Sequence, residues 1–319
     1  MGMSLLFSCV EEDVFLEKVV KIDEDKEIEE GRVFQNKWIY SVMKANYLWA
    51  DKMRDSSSYD YSLLPDAFFE SLLVSEDRFS YLETNDQYGP ATRGTNLNET
   101  VRVDSVFRFE DRSVGYFYYS GFETEADVTD VVIKFKGIDD LVVDVRDNPG
   151  GYVKTCRYLT SLIVPPCNAG KLFCSYEYNS RISAENKMKT GDERTYDYLM
   201  DTERILQRNL NLSRVYILVG KRSASASELL INSLRPYMDV IVIGDRTVGK
   251  DVGMRSFQNN SCQYILHPIT FRTYNADNES VPTSGIVPDI YVGGTTSSDK
   301  LGTTDDLLLR RALQEIRNN

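Results

Sequence analysis

Between Gly115 and Ile243 the chain alternates between short apolar runs and amphipathic stretches, and this alternation restricts the fold more than any other feature. Gly115-Tyr-Phe-Tyr-Tyr119, Leu141-Val-Val-Asp-Val145, Val215-Tyr-Ile-Leu-Val219 and Val240-Ile-Val-Ile243 read as strands, the second of them buried on both sides. From Thr124 to Lys136, Val128, Val131, Val132 and Phe135 share one helical face; helices are also predicted from about Tyr152 to Ile163 and from Ala226 to Leu234. Strands that alternate with helices in this way imply a largely parallel sheet with helices packed over it, an α/β fold class.

The flanks have a different texture. Residues 11 to 31 are dense in Asp, Glu and Lys, the composition of a solvated tether, so folding is expected to begin near Arg32. Helical spacing recurs in Trp38, Ile39, Val42, Met43, Tyr47 and Leu48, and again in Phe68, Phe69, Leu72 and Leu73. These predict a small N-terminal helical domain over residues 32–88. Residues 89–104, rich in Gly, Thr and Asn, read as a linker, which leaves 105–319 as the main domain. Inside it, the polar stretch from Pro165 to Leu199 reads as a lid, an edge hairpin or an excursion over the active site, and Asp305 to Ile316 as a closing helix.

Charge and cysteine usage narrow the chemistry. A formal charge of -12, with 37 basic and 49 acidic side chains and no basic cluster, makes nucleic acid an unexpected partner. Cys9, Cys156, Cys167, Cys174 and Cys262 include no CxxC pair, so no metal and no cofactor is expected. Cys167 and Cys174 could meet across a short loop in an oxidising compartment.

The most informative stretch is Val215-Tyr-Ile-Leu-Val-Gly-Lys-Arg-Ser-Ala-Ser-Ala-Ser-Glu228, a buried strand that runs through small residues into a helix. It presents Ser225 at a helix N-terminus, where unpaired N–H groups can stabilise an oxyanion. Ser225-Ala-Ser-Glu228 is equally a capping box, so the residues alone leave capping and catalysis both open. A serine hydroxyl needs a base. One candidate is Lys250, in Gly244-Asp-Arg-Thr-Val-Gly-Lys250, on a loop that leaves the same end of a parallel sheet as the serine loop. His267, the sole histidine, is the other; it stands in the strand-like Tyr264-Ile-Leu-His-Pro-Ile269. Asn148-Pro-Gly-Gly151 is a tight turn that would also let backbone approach a ligand closely.

Taken together, Leu141-Val-Val-Asp-Val-Arg-Asp-Asn-Pro-Gly-Gly151, Ser223-Ala-Ser-Ala-Ser-Glu228, Gly244-Asp-Arg-Thr-Val-Gly-Lys250 and Gly285-Ile-Val-Pro-Asp289 resemble the four ordered signatures of peptidase family S41, the C-terminal-processing or tail-specific serine peptidases. The resemblance covers roughly residues 105 to 295. It implies a core of the ClpP/crotonase-like ββα superhelix type, a polypeptide substrate, Ser225 as nucleophile and Lys250, 25 positions later, as base. It further implies an oxyanion hole drawn from the N–H groups of Gly150 or Gly151 and Ala226, with Glu228 near the dyad. Two departures stand out. Lys250-Asp-Val-Gly-Met254 lacks the glycine after the lysine and the glutamine four places on that many members carry. Only about 25 residues separate Tyr81 from Phe107, too few for the PDZ module found there in many relatives. The helical region looks like that of Bacteroides-type S41 lipoproteins, and the N-terminal Met-Gly-Met-Ser-Leu-Leu-Phe-Ser-Cys9 looks like the tail of a signal segment ending in a lipobox, with Cys9 as the lipidation site and the bacterial outer membrane as the expected location; an ordinary frayed terminus is the alternative.

Overall fold

The computed structural model describes residues 24–84, 102–109, 112–259, 261–294 and 300–318, so Cys9 and most of the expected linker lie outside the described residues. In chain order the elements are α1 (Glu24–Asn46), α2 (Pro65–Leu72), β1 (Tyr81–Thr84), β2 (Arg102–Arg108), β3 (Ser113–Tyr119), α3 (Glu125–Lys134), β4 (Asp140–Asp144) and α4 (Val153–Ile163). There follow β5 (Leu172–Glu177), α5 (Ser180–Thr190), β6 (Thr195–Tyr198), α6 (Glu203–Arg208), β7 (Arg214–Val219), α7 (Ala226–Leu234) and β8 (Asp239–Gly244). The chain closes with β9 (Val252–Met254), β10 (Phe257–Gln258), β11 (Tyr264–His267), β12 (Ile269–Tyr274), β13 (Ile290–Tyr291) and α8 (Leu307–Asn318).

Two compact units result. One is Met1–Thr92 with Met254–Ile269; the other is Arg93–Gly253 with Thr270–Asn319.

In the first unit, α1 begins at Glu24 rather than near Arg32. The acidic and basic residues of the expected tether are good helix formers, and a helix that is polar all round has the same composition as a solvated coil. Further along, Asn36, Ile39, Met43 and Tyr47 fall on its buried face. Asn36 Nδ2 donates to the carbonyls of Tyr61 and Leu63, fixing the loop that leads to Pro65 at the start of α2. This unit is not wholly helical. Its antiparallel sheet runs β1-β11-β10, with two strands supplied from residues well beyond the helices.

The second unit carries a six-stranded sheet in the order β13-β8-β7-β4-β3-β2. β3, β4, β7, β8 and β13 pair in parallel and β2 adds antiparallel to β3, as the strand–helix alternation requires. Alternate residues divide the core. Phe117, Tyr119, Leu141, Val143, Val215 and Ile217 pack with α3, α4 and α7, while Val114, Tyr116, Val142, Tyr216 and Leu218 pack under Leu308, Leu309, Ala312, Leu313 and Ile316 of α8. The polar stretch after Pro165 forms β5, α5 and β6, part of a four-stranded sheet ordered β6-β5-β12-β9. Asn179 caps α5 and Gly191, at φ 83°, ends it, so local capping rather than apolar period defines this helix.

Candidate active site

Three loops leave the carboxyl ends of β4, β7 and β8, the place where parallel sheets gather functional groups. Each is shaped by glycines and small polar side chains.

The β7 loop holds Ser223, Ser225 and Ser227, and their surroundings separate them. Ser223 is buried; its Oγ donates to Val145 O at 2.7 Å and accepts from the Gly220 amide at 3.0 Å. Ser227 is buried and donates to Asn148 O at 2.9 Å. Both are structural staples. Ser225, only partly buried, sits at φ 55°, ψ -115°. A non-glycine residue there carries strain of about 1–3 kcal/mol, which is a mark of nucleophile turns between strand and helix.

The β4 loop lies against it. Gly150 adopts φ 117°, and a Cβ on it would stand 2.8 Å from Ser225 Cβ and 3.1 Å from the Ala226 nitrogen. Gly151, at φ 137°, crosses the Phe122 backbone, with which it forms an isolated parallel bridge. Glycine is therefore required at both positions. Asn148, expected only as a turn residue, is the fully buried tie: its Nδ2 donates to Tyr119 O at 2.9 Å, its Oδ1 accepts the Gly150 amide at 2.8 Å, and its carbonyl accepts from Ala224 N and Ser227 Oγ. Because Asn148 takes the Gly150 N–H, the anticipated oxyanion donors left are Gly151 and Ala226.

Underneath, the guanidinium of Arg146 makes a paired contact with Asp144, 2.9 Å from Nε and 2.5 Å from Nη2, and lies 2.9 Å from Asp306 at the start of α8. Tyr116 donates to Asp144 at 2.8 Å. Burial pushes the Asp144 carboxyl up, and the neighbouring Arg146 works against that shift. Asp306 Oδ1 also accepts from the Leu308 amide, so the base of the β4 loop is tied to the closing helix.

The β8 loop carries Lys250. Gly249, at φ 80°, and Gly285, at φ 89°, pack so closely that a Cβ on the first would meet Thr283 O at 2.3 Å and on the second Thr247 O at 2.0 Å. Gly285-Ile-Val-Pro-Asp289 thus braces the lysine loop, and Asp289 reaches the Val242 amide at 2.8 Å. Asp251, the departure after the lysine, is buried and pairs with Arg272 of β12 at 2.7 Å. It fastens the loop to the second sheet.

One carboxylate joins the serine and lysine loops. Glu228 is fully buried; Oε1 accepts from Thr247 Oγ1 at 2.5 Å and the Gly249 amide at 2.7 Å, while Oε2 accepts from the amides of Ser225 at 3.0 Å and Lys250 at 2.8 Å. Both halves of the expected capping box are present, yet the carboxylate does much more than cap. A buried carboxylate without partners would cost several kcal/mol, and four donors offset that cost.

His267 is not joined to this cluster. Both its ring nitrogens are engaged inside the first unit, by Ser256 and Glu83. Cys167 is exposed, Cys174 is buried in β5, and both are free thiols.

Comparison with known proteins agrees with this geometry. The model of peptidase family S41 matches residues 113–292, and that of the peptidase S41 N-terminal domain matches residues 35–81. A "Probable CtpA-like serine protease" of Staphylococcus aureus (strain N315) is 26% identical over 205 residues, which take in 61% of this chain and 36% of that protein, so the chain spans little over a third of that relative. A Bacteroides fragilis structure assigned to the S41 proteases shares the fold with a TM-score of 0.69 at 19% identity, covering 96% of this chain and 99% of the other. A Parabacteroides merdae structure assigned as a peptidase gives 0.55 at 18% identity, with 89% and 96% covered. With more than half its length matched by one family model, and the glycine, serine and lysine loops of that stretch gathered at one end of its sheet, the chain belongs to peptidase family S41.

Proposed function

We propose that the chain is a serine endopeptidase that hydrolyses polypeptides through Ser225 and Lys250. The observation that carries this reading is the shared oxygen: Glu228 Oε2 takes the amides of both residues, so nucleophile and base are rooted at one buried point. Lys250, as the neutral amine, takes the Ser225 proton while Oγ attacks the peptide carbonyl. The oxyanion is met by the N–H groups of Gly151 and Ala226. Lys250 then protonates the leaving amine, and water activated by the same amine hydrolyses the acyl-enzyme. Similarity to a serine protease of Staphylococcus aureus supports the assignment.

Cleavage of an unfolded protein by the full chain tests it. Ser225→Ala and Lys250→Ala should each lower the rate by about a thousandfold or more. Cleavage that survives Ser225→Ala refutes the mechanism, and an inert wild-type chain points instead to a peptide-binding lipoprotein that keeps the family scaffold. The proposal extends to location: Cys9 is lipidated and holds the protein to the outer membrane of a bacterial envelope, its sole membrane contact. Metabolic labelling with palmitate should mark the wild type and not Cys9→Ser, whereas an unlabelled wild type removes the anchor.

A further inference from the structure

One face of the three-stranded sheet in the first unit carries a row of polar groups that the peptidase reading does not use. Tyr81 pairs with His267 across β1 and β11, and Phe257 pairs with Leu266 across β10 and β11, so Ser256 comes up on the other side of His267. Ser256 Oγ lies 2.9 Å from His267 Nδ1, and Glu83 Oε2 lies 3.0 Å from Nε2. The Tyr81 ring stacks on the imidazole, centroids 4.3 Å apart and planes 13° from parallel. His267 is buried at 8% exposure while Ser256 is exposed.

This geometry assigns the protons. A carboxylate can only accept, so Nε2 carries the hydrogen, Nδ1 is left as an acceptor, and the Ser256 hydroxyl is the donor. Burial lowers the imidazole pKa, which keeps the ring neutral and able to take a proton at neutral pH. Nucleophile and orienting carboxylate are then each within hydrogen-bond reach of the base, one at either ring nitrogen, with the roles of the two nitrogens exchanged relative to the usual serine triad.

We propose that Ser256 is a second activated serine, with His267 as its base and Glu83 as the orienting group, that reacts with small acylating and phosphonylating electrophiles. With an aryl ester, the Ser256 Oγ–carbonyl carbon bond forms, the hydroxyl proton passes to Nδ1, and the ester C–O bond breaks to release the aryl oxide, which takes that proton. Water then cleaves the acyl-serine, so ester and water become acid and phenol. With a fluorophosphonate, the O–P bond forms, the P–F bond breaks, fluoride leaves and the proton on Nδ1 goes to solvent. The exposed Ser256 suits such activated donors, whose leaving groups need little acid assistance.

The test treats the full-length Ser225→Ala chain with a fluorophosphonate and maps the adduct by peptide mass spectrometry. Tryptic cleavage after Arg222 and Arg255 places Ser225 and Ser256 on separate peptides, so each reading is scored without the other. An adduct on Ser256 is expected. His267→Gln should slow its formation by about a hundredfold and Glu83→Ala by about tenfold. No Ser256 adduct in the Ser225→Ala chain, or a rate that neither substitution changes, overturns the proposal. Should His267→Gln fail to fold, the partly exposed Glu83→Ala arm decides the matter by itself.

Discussion

Glu228 and Glu83 each hold a serine-bearing cluster together, one fully buried among backbone amides and the other half-exposed beside an imidazole. Three of the four donors to Glu228 are backbone N–H groups, from Ser225, Gly249 and Lys250. Their positions follow from the course of the chain, and a change of neighbouring side chain cannot redirect them. Glu83, by contrast, orients a ring that is also held by stacking and by a serine hydroxyl, all of them rotatable side chains. Rigid backbone donors suit a site that must hold two loops in register; side-chain relays are cheaper to build and cheaper to lose.

Removing each carboxylate in turn separates the two clusters. Glu228→Ala strands four buried donors and should cost about 3–5 kcal/mol of stability, with peptidase activity lost alongside. Glu83→Ala at a partly solvated position should cost at most about 1 kcal/mol. Urea melts of the two variants compare them directly. Equal losses would show that Glu228 is not the structural centre described above.

How legible these centres are in the sequence differs for the same physical reason. Strands β3, β4, β7 and β8 are visible because burial on both faces leaves continuous apolar runs, and Ser225 is visible because strand, small residues and helix follow one another directly. Asn148 is not visible, since a turn asparagine looks the same whether its side chain meets water or ties two loops. The three serines of Ser223-Ala-Ser-Ala-Ser227 are also alike on paper, and only the acceptors of Ser223 and Ser227 leave Ser225 as the one at the strained position. The Ser256–His267–Glu83 row is hidden for another reason. Glu83 and His267 are far apart in the chain, and β10 and β11 are too short to show a period that would announce their return to the first unit. The helix before Arg32 is concealed by composition, because charged residues favour helix and coil alike.

The two glutamates also differ, by a small margin, in the pH dependence that they give to stability. Burial lowers the His267 pKa below the ordinary 6.5, with the partly exposed Glu83 carboxylate, the one charged group hydrogen-bonded to the ring, pulling the other way. In the window between the folded value and 6.5 the unfolded chain binds more protons than the folded one, so stability rises with pH through that window and falls as the medium is acidified below about 6.5. Melting temperatures measured from neutral pH down to mildly acid should therefore drop less steeply in His267→Gln than in the wild type. Glu83→Ala removes the one interaction that raises the imidazole pKa, so its curve should fall more steeply than the wild type's over the same range. Parallel curves for all three chains would mean that the imidazole titrates alike in the folded and unfolded states, and that the Glu83 contact orients the ring without altering its proton affinity.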